Sequence, residues 1–302
     1  MHAVTLVAGD APETTAGVCK VLEATGVSFA WDEQPAPSSA IAPTLLASAR
    51  KTKTVLMGYT RGQREQGKPA PIVSLRRALG TFAALRPAQT IPAIANRHPG
   101  VDLVVVRETT EDIYSSLEHE TIPGVYESLK VTTQAACERI ARYAFEYAKR
   151  TGRKKVTIVH KANILKKADG LFLETGRQVA KDFPDIASED VIVDALTMKL
   201  VLAPEKFDVL VAGNLFGDIV GDLASGLVGG KANCPSMNVG PDGLTVCTTA
   251  HADPGGASLM FSGILLLRHL GENAAADRLW KAILTALDSG PTDLATAVAK
   301  RL

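Results

Sequence analysis

The sequence predicts an α/β fold in two domains, and three observations carry that expectation. The N-terminal stretch alternates: Val4 to Val7 is a short apolar strand before Gly9-Asp10, Thr14 to Thr25 reads as a helix, and Val27 to Trp31 reads as the next strand. Asp102 to Val106 holds Leu103 and three valines in a row, the pattern of a strand buried on both faces of a parallel sheet. The length, 302 residues, suffices for a large core and fits division into two domains.

The remaining elements follow in order. Pro35 to Pro43 is a Pro/Ser/Ala-rich connection, and Lys53 to Met57 is a strand. Gly58 to Pro71 reads as a loop. Leu75 to Ala84 reads as a helix stopped at Leu85-Arg86-Pro87, because the residue before a proline avoids the helical region. Thr121 to Thr132 alternates around Pro123-Gly124 and predicts a hairpin, and Thr133 to Arg150 is an amphipathic helix. Strands at Lys155 to Val159, Val191 to Val193 and Phe207 to Ala212 flank a helix from Gly170 to Phe183, and Leu259 to Leu302 is mostly helical.

Composition narrows the function. Hydrophobic residues make up 46% and charged residues 22%, ordinary for a globular protein, and a net charge of +1 gives no nucleic-acid footprint. The densest basic run, Arg150 to Lys155, reads as a solvated helix-to-strand turn. Cys19, Cys137, Cys234 and Cys247 show neither CxxC pairing nor metal spacing, and read as reduced thiols of a cytoplasmic protein. Met1 to Gly9 lacks the basic start of a signal peptide, and no apolar run nears the roughly 18 residues of a membrane span.

The densest chemistry lies in Gly213-Asn214-Leu215-Phe216-Gly217-Asp218-Ile219-Val220-Gly221-Asp222. If a helix starts near Gly217, Asp218 and Asp222 share a face one turn apart, and two hard oxygen donors so placed can hold Mg²⁺ or Mn²⁺. The same spacing also fits a carboxylate favoured at a helix N-terminus plus a solvated aspartate. Arg76 and Arg86 bracket the Leu75 to Ala84 helix, and Arg107 follows the buried strand, where α/β proteins place ligands. Arginine's planar fork suits carboxylates, although surface arginines are common. Tyr114 can act as a general acid or simply pack as an aromatic. Lys161 ends a strand, where a nearby cation would lower its pKa enough for a base, or it is a solvated lysine. Asp194 follows another strand and could be a third metal ligand.

Three runs carry a resemblance: VRETTEDIYSSLEH from Val106, HKANILKKADGLFLE from His160 and NLFGDIVGDLASGLVGG from Asn214. Together they are similar to the metal-dependent β-decarboxylating dehydrogenases, which include isocitrate, isopropylmalate, homoisocitrate and tartrate dehydrogenases. The likeness is closest to the NAD-dependent isocitrate enzymes between Val104 and Gly230, and weaker over the rest. It implies an isocitrate/isopropylmalate dehydrogenase-like two-domain α/β fold with a central cleft and a dimer clasp. The larger domain would take residues 1–88 and 229–302, and the smaller, dimerising domain residues 89–228. The resemblance further implies that Arg76, Arg86 and Arg107 clamp the carboxylates of a malate-type substrate. Tyr114 would protonate the enolate, Lys161 would take the hydroxyl proton, and Asp194, Asp218 and Asp222 would hold Mg²⁺ or Mn²⁺. Asn163, His251 and Asp253 would contact NAD or NADP. In the family the lysine and one aspartate come from the partner subunit, so Lys161 and Asp194 imply a homodimer clasped through Thr121 to Thr132.

The departures fall on the cofactor and specificity side. The family's GDGIGPE turn is here Gly9-Asp10-Ala11-Pro12-Glu13, and its adenosine loop is shorter by about ten residues, with Thr248 in place of a glutamate; surface loops tolerate such changes. A Lys-Thr-Pro becomes Arg61-Gly62-Gln63, a Ser-x-Asn becomes Ala70-Pro71-Ile72, and an asparagine becomes Ala84. The Ala70 and Ile72 side chains donate no hydrogen bonds, which fits a substituent more apolar than isocitrate's third carboxylate. Three activities follow: an oxidative decarboxylase using NAD(P), a non-redox β-keto acid decarboxylase, or a noncatalytic regulatory subunit that senses a di- or tricarboxylate.

Overall fold

The structure is a computed structural model that describes residues 1–37, 41–60, 71–230, 233, 235–249 and 256–302. Along the chain run β1 (His2–Val7), α1 (Pro12–Ala24), β2 (Phe29–Gln34), α2 (Pro43–Thr52), β3 (Thr54–Met57), α3 (Pro71–Ala78), β4 (Ala83–Gln89) and β5 (Asp102–Glu108). A one-turn 3₁₀ helix, Ile113–Ser115, precedes β6 (Glu118–Ile122), β7 (Val125–Ser128), α4 (Gln134–Thr151), β8 (Lys155–His160), α5 (Ala168–Ala180), β9 (Ala187–Ile192) and α6 (Val193–Leu202). Then come β10 (Val209–Ala212), α7 (Asn214–Leu227), β11 (Pro235–Val239), β12 (Thr245–Thr249), α8 (Ala257–His269), α9 (Asn273–Asp288) and α10 (Leu294–Ala299).

The chain forms two compact units, one of Met1–Thr81, Thr90–Pro99 and Val228–Leu302, the other of Phe82–Gln89 and Gly100–Leu227. In the first, strands lie in the order β2-β1-β3-β12-β11, parallel except for the antiparallel β11–β12 pair. Its core joins Val7, Leu45, Val55, Met57, Leu75 and Val246. The turn after β1 packs tightly: Gly9 has φ +73, and a Cβ there would lie 2.4 Å from the Tyr59 carbonyl oxygen, so only glycine fits.

In the second unit the order is β4-β5-β10-β8-β9, with β4 antiparallel to β5 and the other neighbours parallel. Leu103, Val104, Val105 and Val106 of β5 are all fully buried, as four consecutive apolar residues in a central parallel strand should be. Helix α4 starts where Thr133 caps the Ala136 amide and ends at Gly152 in the left-handed conformation. The hairpin β6–β7 turns at Gly124, and every residue of its two strands is exposed.

Several expectations change. The helix expected over Leu75 to Ala84 ends at Ala78, and Ala83 to Gln89 is strand β4, so Arg86 lies on a strand instead of at a helix end. Alanine favours helix locally, but pairing along the whole of β5 overrides that preference. Helix α7 begins at Asn214, three residues before the position expected. Helix α2 and the β11–β12 pair were not expected at all.

Candidate active site

Three residues of the second unit meet at one carboxylate. Arg107, at the end of β5, is 6% exposed, and its guanidinium pairs with Asp218 Oδ1 on α7. The Tyr114 hydroxyl donates to Asp218 Oδ2 at 2.5 Å, and the Arg107 guanidinium carbon lies 5.0 Å from the Tyr114 ring centre. The Arg107 Nε donates to Asn214 Oδ1 at 2.8 Å, and the Asn214 amide donates to the Glu111 carbonyl at 2.9 Å. Asn214 thus fixes the arginine's fork and the loop before Tyr114. It sits in the most informative run of the sequence, but nothing in its spacing marked it.

The glycines of α7 explain how two arginines reach this face. Arg107 pairs with Ala84 across β4 and β5, and Arg86 lies two residues along the same strand, so both project from one side. A Cβ on Gly217 would lie 2.7 Å from Arg107 Cγ, whereas one on Gly221 would lie 3.7 Å from Arg86 Cγ. Gly217 is therefore required for Arg107 to cross the helix, and Gly221 leaves ordinary contact distance. Asp218 and Asp222, the next residue in each case, follow the same turn-by-turn spacing.

Tyr114 is chemically suited to hold a proton. Its phenol is pushed up to about 12, first by burial and then by the hydrogen bond to Asp218, while Arg107 pulls the other way. The ring remains protonated at neutral pH and is a donor there.

A second pair stands apart. Lys161, just after β8, donates from Nζ to Asp194 Oδ1 at 2.6 Å. Asp194 lies in the first turn of α6, with its side chain 68% exposed. The hydrogen bond from Lys161 is the main reason its carboxyl is held below the usual range. Asn163 is exposed in the turn that follows, where the Ile164 and Leu165 amides donate to the Lys161 carbonyl at 3.0 and 2.9 Å.

Among the described residues no three His, Cys, Asp or Glu side chains are grouped to hold a metal. Asp194 is thus not brought to Asp218 and Asp222 within one chain. The donor chemistry itself fits Mg²⁺ or Mn²⁺, since all three are hard carboxylates and two lie a helical turn apart. In the first unit, Arg76 on α3 donates to Asn238 Oδ1 on β11 at 3.2 Å. Ile72, read as facing an apolar substituent, packs against that unit's core. Thr248 is buried in β12. His251 and Asp253 lie outside the described residues, as do Arg61-Gly62-Gln63, Ala70 and Cys234.

The Tyr114 phenol, the Asp218 carboxylate and the Arg107 guanidinium thus meet beside the end of β5 on an α/β scaffold. The family model described as isocitrate/isopropylmalate dehydrogenase matches residues 3–300, and the chain belongs to that family. It is 40% identical over 306 residues to the NAD isocitrate dehydrogenase catalytic subunit 5, mitochondrial, of Arabidopsis thaliana, covering 95% of this chain and 81% of that protein. It is 43% identical over 303 residues to the NAD isocitrate dehydrogenase regulatory subunit 2, mitochondrial, of the same plant, covering 95% and 83%. The crystal structure of isocitrate dehydrogenase from Methylococcus capsulatus superposes with a TM-score of 0.91 at 38% identity, over 100% of this chain and 99% of that one.

Proposed function

We propose that this chain is a catalytic member of the family, a metal-dependent dehydrogenase that oxidises a malate-type 2-hydroxy acid with NAD⁺ and releases CO₂. The observation that carries this reading is the convergence on Asp218 of a phenol that keeps its proton and a buried guanidinium suited to a carboxylate. Catalytic and regulatory relatives match at similar identity, so the choice between them rests on residues. Retention of Tyr114 and Lys161 together favours catalysis. The NAD isocitrate dehydrogenase subunits among the relatives support NAD⁺ as the cofactor despite the shortened loop.

In this reading Arg76, Arg86 and Arg107 bind the substrate carboxylates through paired charge-assisted hydrogen bonds. Asp194, Asp218 and Asp222 would hold Mg²⁺ or Mn²⁺, which would supply Lewis-acid positive charge to the substrate's oxygens. Lys161 would accept the 2-hydroxyl proton, and bound NAD⁺ would supply the hydride-accepting chemistry at C2. The bond from C3 to its carboxylate carbon then breaks, CO₂ departs, and Tyr114 delivers its proton to C3.

Assembly follows from the split site. Leu117, Ile122, Tyr126 and Leu129, in and around the exposed hairpin, and Met198 and Leu202 on α6 are large apolar side chains left open to solvent. A second copy covering them would bring Lys161 and Asp194 to Asp218 and Asp222. A mass near twice 31.9 kDa in sedimentation is the expected result. Cys19, Cys137 and Cys247 are buried free thiols, which supports a reducing compartment; a cytoplasmic location is testable by cell fractionation.

The deciding assay follows NADH absorbance with Mn²⁺ and either isocitrate or 3-isopropylmalate, with Lys161→Met as the blank. Reduction of NAD⁺ with one of the two substrates also names the variable group. Folded protein that reduces neither NAD⁺ nor NADP⁺ with either substrate would sink the proposal.

A further inference from the structure

Lys130, two residues past β7, stands in the second unit between two turns that the proposed chemistry depends on. Its Nζ lies 2.9 Å from Asp112 Oδ2 and 3.3 Å from Asp169 Oδ1, and 5.2 Å from the centre of the Phe216 ring. Both carboxylates are buried, at 2% and 4% exposure. Each has a second task. Asp112 Oδ1 accepts from the Ile113 amide at 2.8 Å and so caps the 3₁₀ turn that carries Tyr114. Asp112 Oδ2 also accepts from the Leu215 amide at 3.1 Å, in the first turn of the helix that carries Asp218. Asp169 Oδ2 accepts from the Lys161 amide at 2.7 Å.

We propose that Lys130 is a positioning residue that holds the Tyr114 turn and the Lys161 turn together through Asp112 and Asp169. The inference rests on the catalytic reading given above, in which those two side chains are acid and base. Asp112 has φ +77, a backbone state that is strained for a non-glycine residue and persists only where its surroundings enforce it. The Lys130 ammonium, the Ile113 and Leu215 amides, and the bond from the Asp112 amide to the Val131 carbonyl at 3.0 Å are that enforcement. Removing the ammonium would leave two buried carboxylates facing one another without their cation, an arrangement the fold relieves by moving one of them or admitting water. A cavity of about 20 Å³ lined by Lys130, Asp112, Asp169 and Phe216 offers room for about one such water.

The test compares wild type, Lys130→Met and Lys130→Arg in the NADH assay with Mn²⁺. The expected result is a kcat about 10- to 100-fold lower in Lys130→Met, the range typical of residues that orient working groups, with KM little changed because the arginines are untouched. Lys130→Arg, which can still bridge two carboxylates, should recover most of the loss. Hydrogen exchange on the substrate-free proteins supplies a readout independent of turnover. Lys130→Met should speed exchange at both 113–116 and 161–165 and leave α4 and β10 protected. Should Lys130→Met fail to fold, Lys130→Gln, which removes the charge and keeps a polar head, takes its place with the same expected exchange at 113–116 and 161–165. An unchanged kcat in Lys130→Met, unchanged exchange at either segment, or faster exchange throughout the chain would overturn the proposal. Wild type without turnover sinks the catalytic reading instead, and the exchange comparison then decides the positioning role by itself.

Discussion

The second unit holds two charged groups built on opposite plans. At Asp218 the cation is enclosed: Arg107 is buried, its stem is seated on Gly217, and its Nε is fixed by Asn214, while the Asp218 side chain is 39% exposed and Tyr114 37%. Lys161 and Asp194 form an open pair, joined by one hydrogen bond, with the aspartate mostly in solvent. Exposed ion pairs add little to stability. The enclosed group therefore bears on folding as well as chemistry, while the open pair is free to serve a ligand or a second subunit.

The largest expected effects test what the two groups share. In the proposed reaction Tyr114→Phe and Lys161→Met each remove a proton-transfer group, and kcat should fall about 10²- to 10⁴-fold for either. Equal losses from the enclosed and the open group would show that both act in one reaction. A loss from only one would split them.

The second comparison separates the groups by stability. Gly217→Val places carbon within contact of the Arg107 stem, and the crowding should cost about 1–3 kcal/mol in urea unfolding. Gly226, on the same helix, has nothing within 4 Å of an added Cβ, so Gly226→Ala should be neutral or stabilising by up to ~1 kcal/mol. A Gly217→Val variant as harmless as Gly226→Ala would mean that the arginine's seat does not explain Gly217, since helix propensity favours the substitution at both positions. Asp194→Asn should leave the unfolding midpoint where it was and lower Mn²⁺ affinity at least about 10-fold in calorimetry. A shifted midpoint with intact affinity would make Asp194 a structural residue only.

Much of this was legible in the sequence because it depends on short-range spacing. Asp218 and Asp222 share a face once the run from Gly213 is helical, and the four apolar residues of β5 place Arg107 at a strand end. Arg86 was misplaced because Ala83 and Ala84 look helical by themselves, and their strand exists only through pairing with β5. Lys130 was invisible for a related reason. Its partners are 18 and 39 residues away in sequence, and only the bridge of Val131 to Asp112 and the approach of the first turn of α5 bring them together. Charges that satisfy one another across a fold leave no periodic trace.

The smallest effect concerns Glu108, on the opposite face of β5 from Arg107. It is the residue after Arg107 and is 2% exposed. Thr110 donates to it from the hydroxyl at 2.5 Å and from the amide at 2.8 Å, and the Glu111 amide does so at 3.1 Å. Burial raises its carboxyl above the ordinary value of 4.5, and these hydrogen bonds only partly oppose it. The folded chain therefore holds this proton more tightly than the unfolded chain does. The stabilisation is complete below the unfolded value and is lost as pH rises through the folded one. Glu108→Gln keeps the shape and cannot titrate, so wild type should lose stability relative to the variant as pH rises from about 4 toward neutrality. Urea midpoints of the two proteins across that range provide the measurement. A gap that moves the other way would mean that the Thr110 and Glu111 donors outweigh burial, and that the loop after β5 is organised around a fixed negative charge.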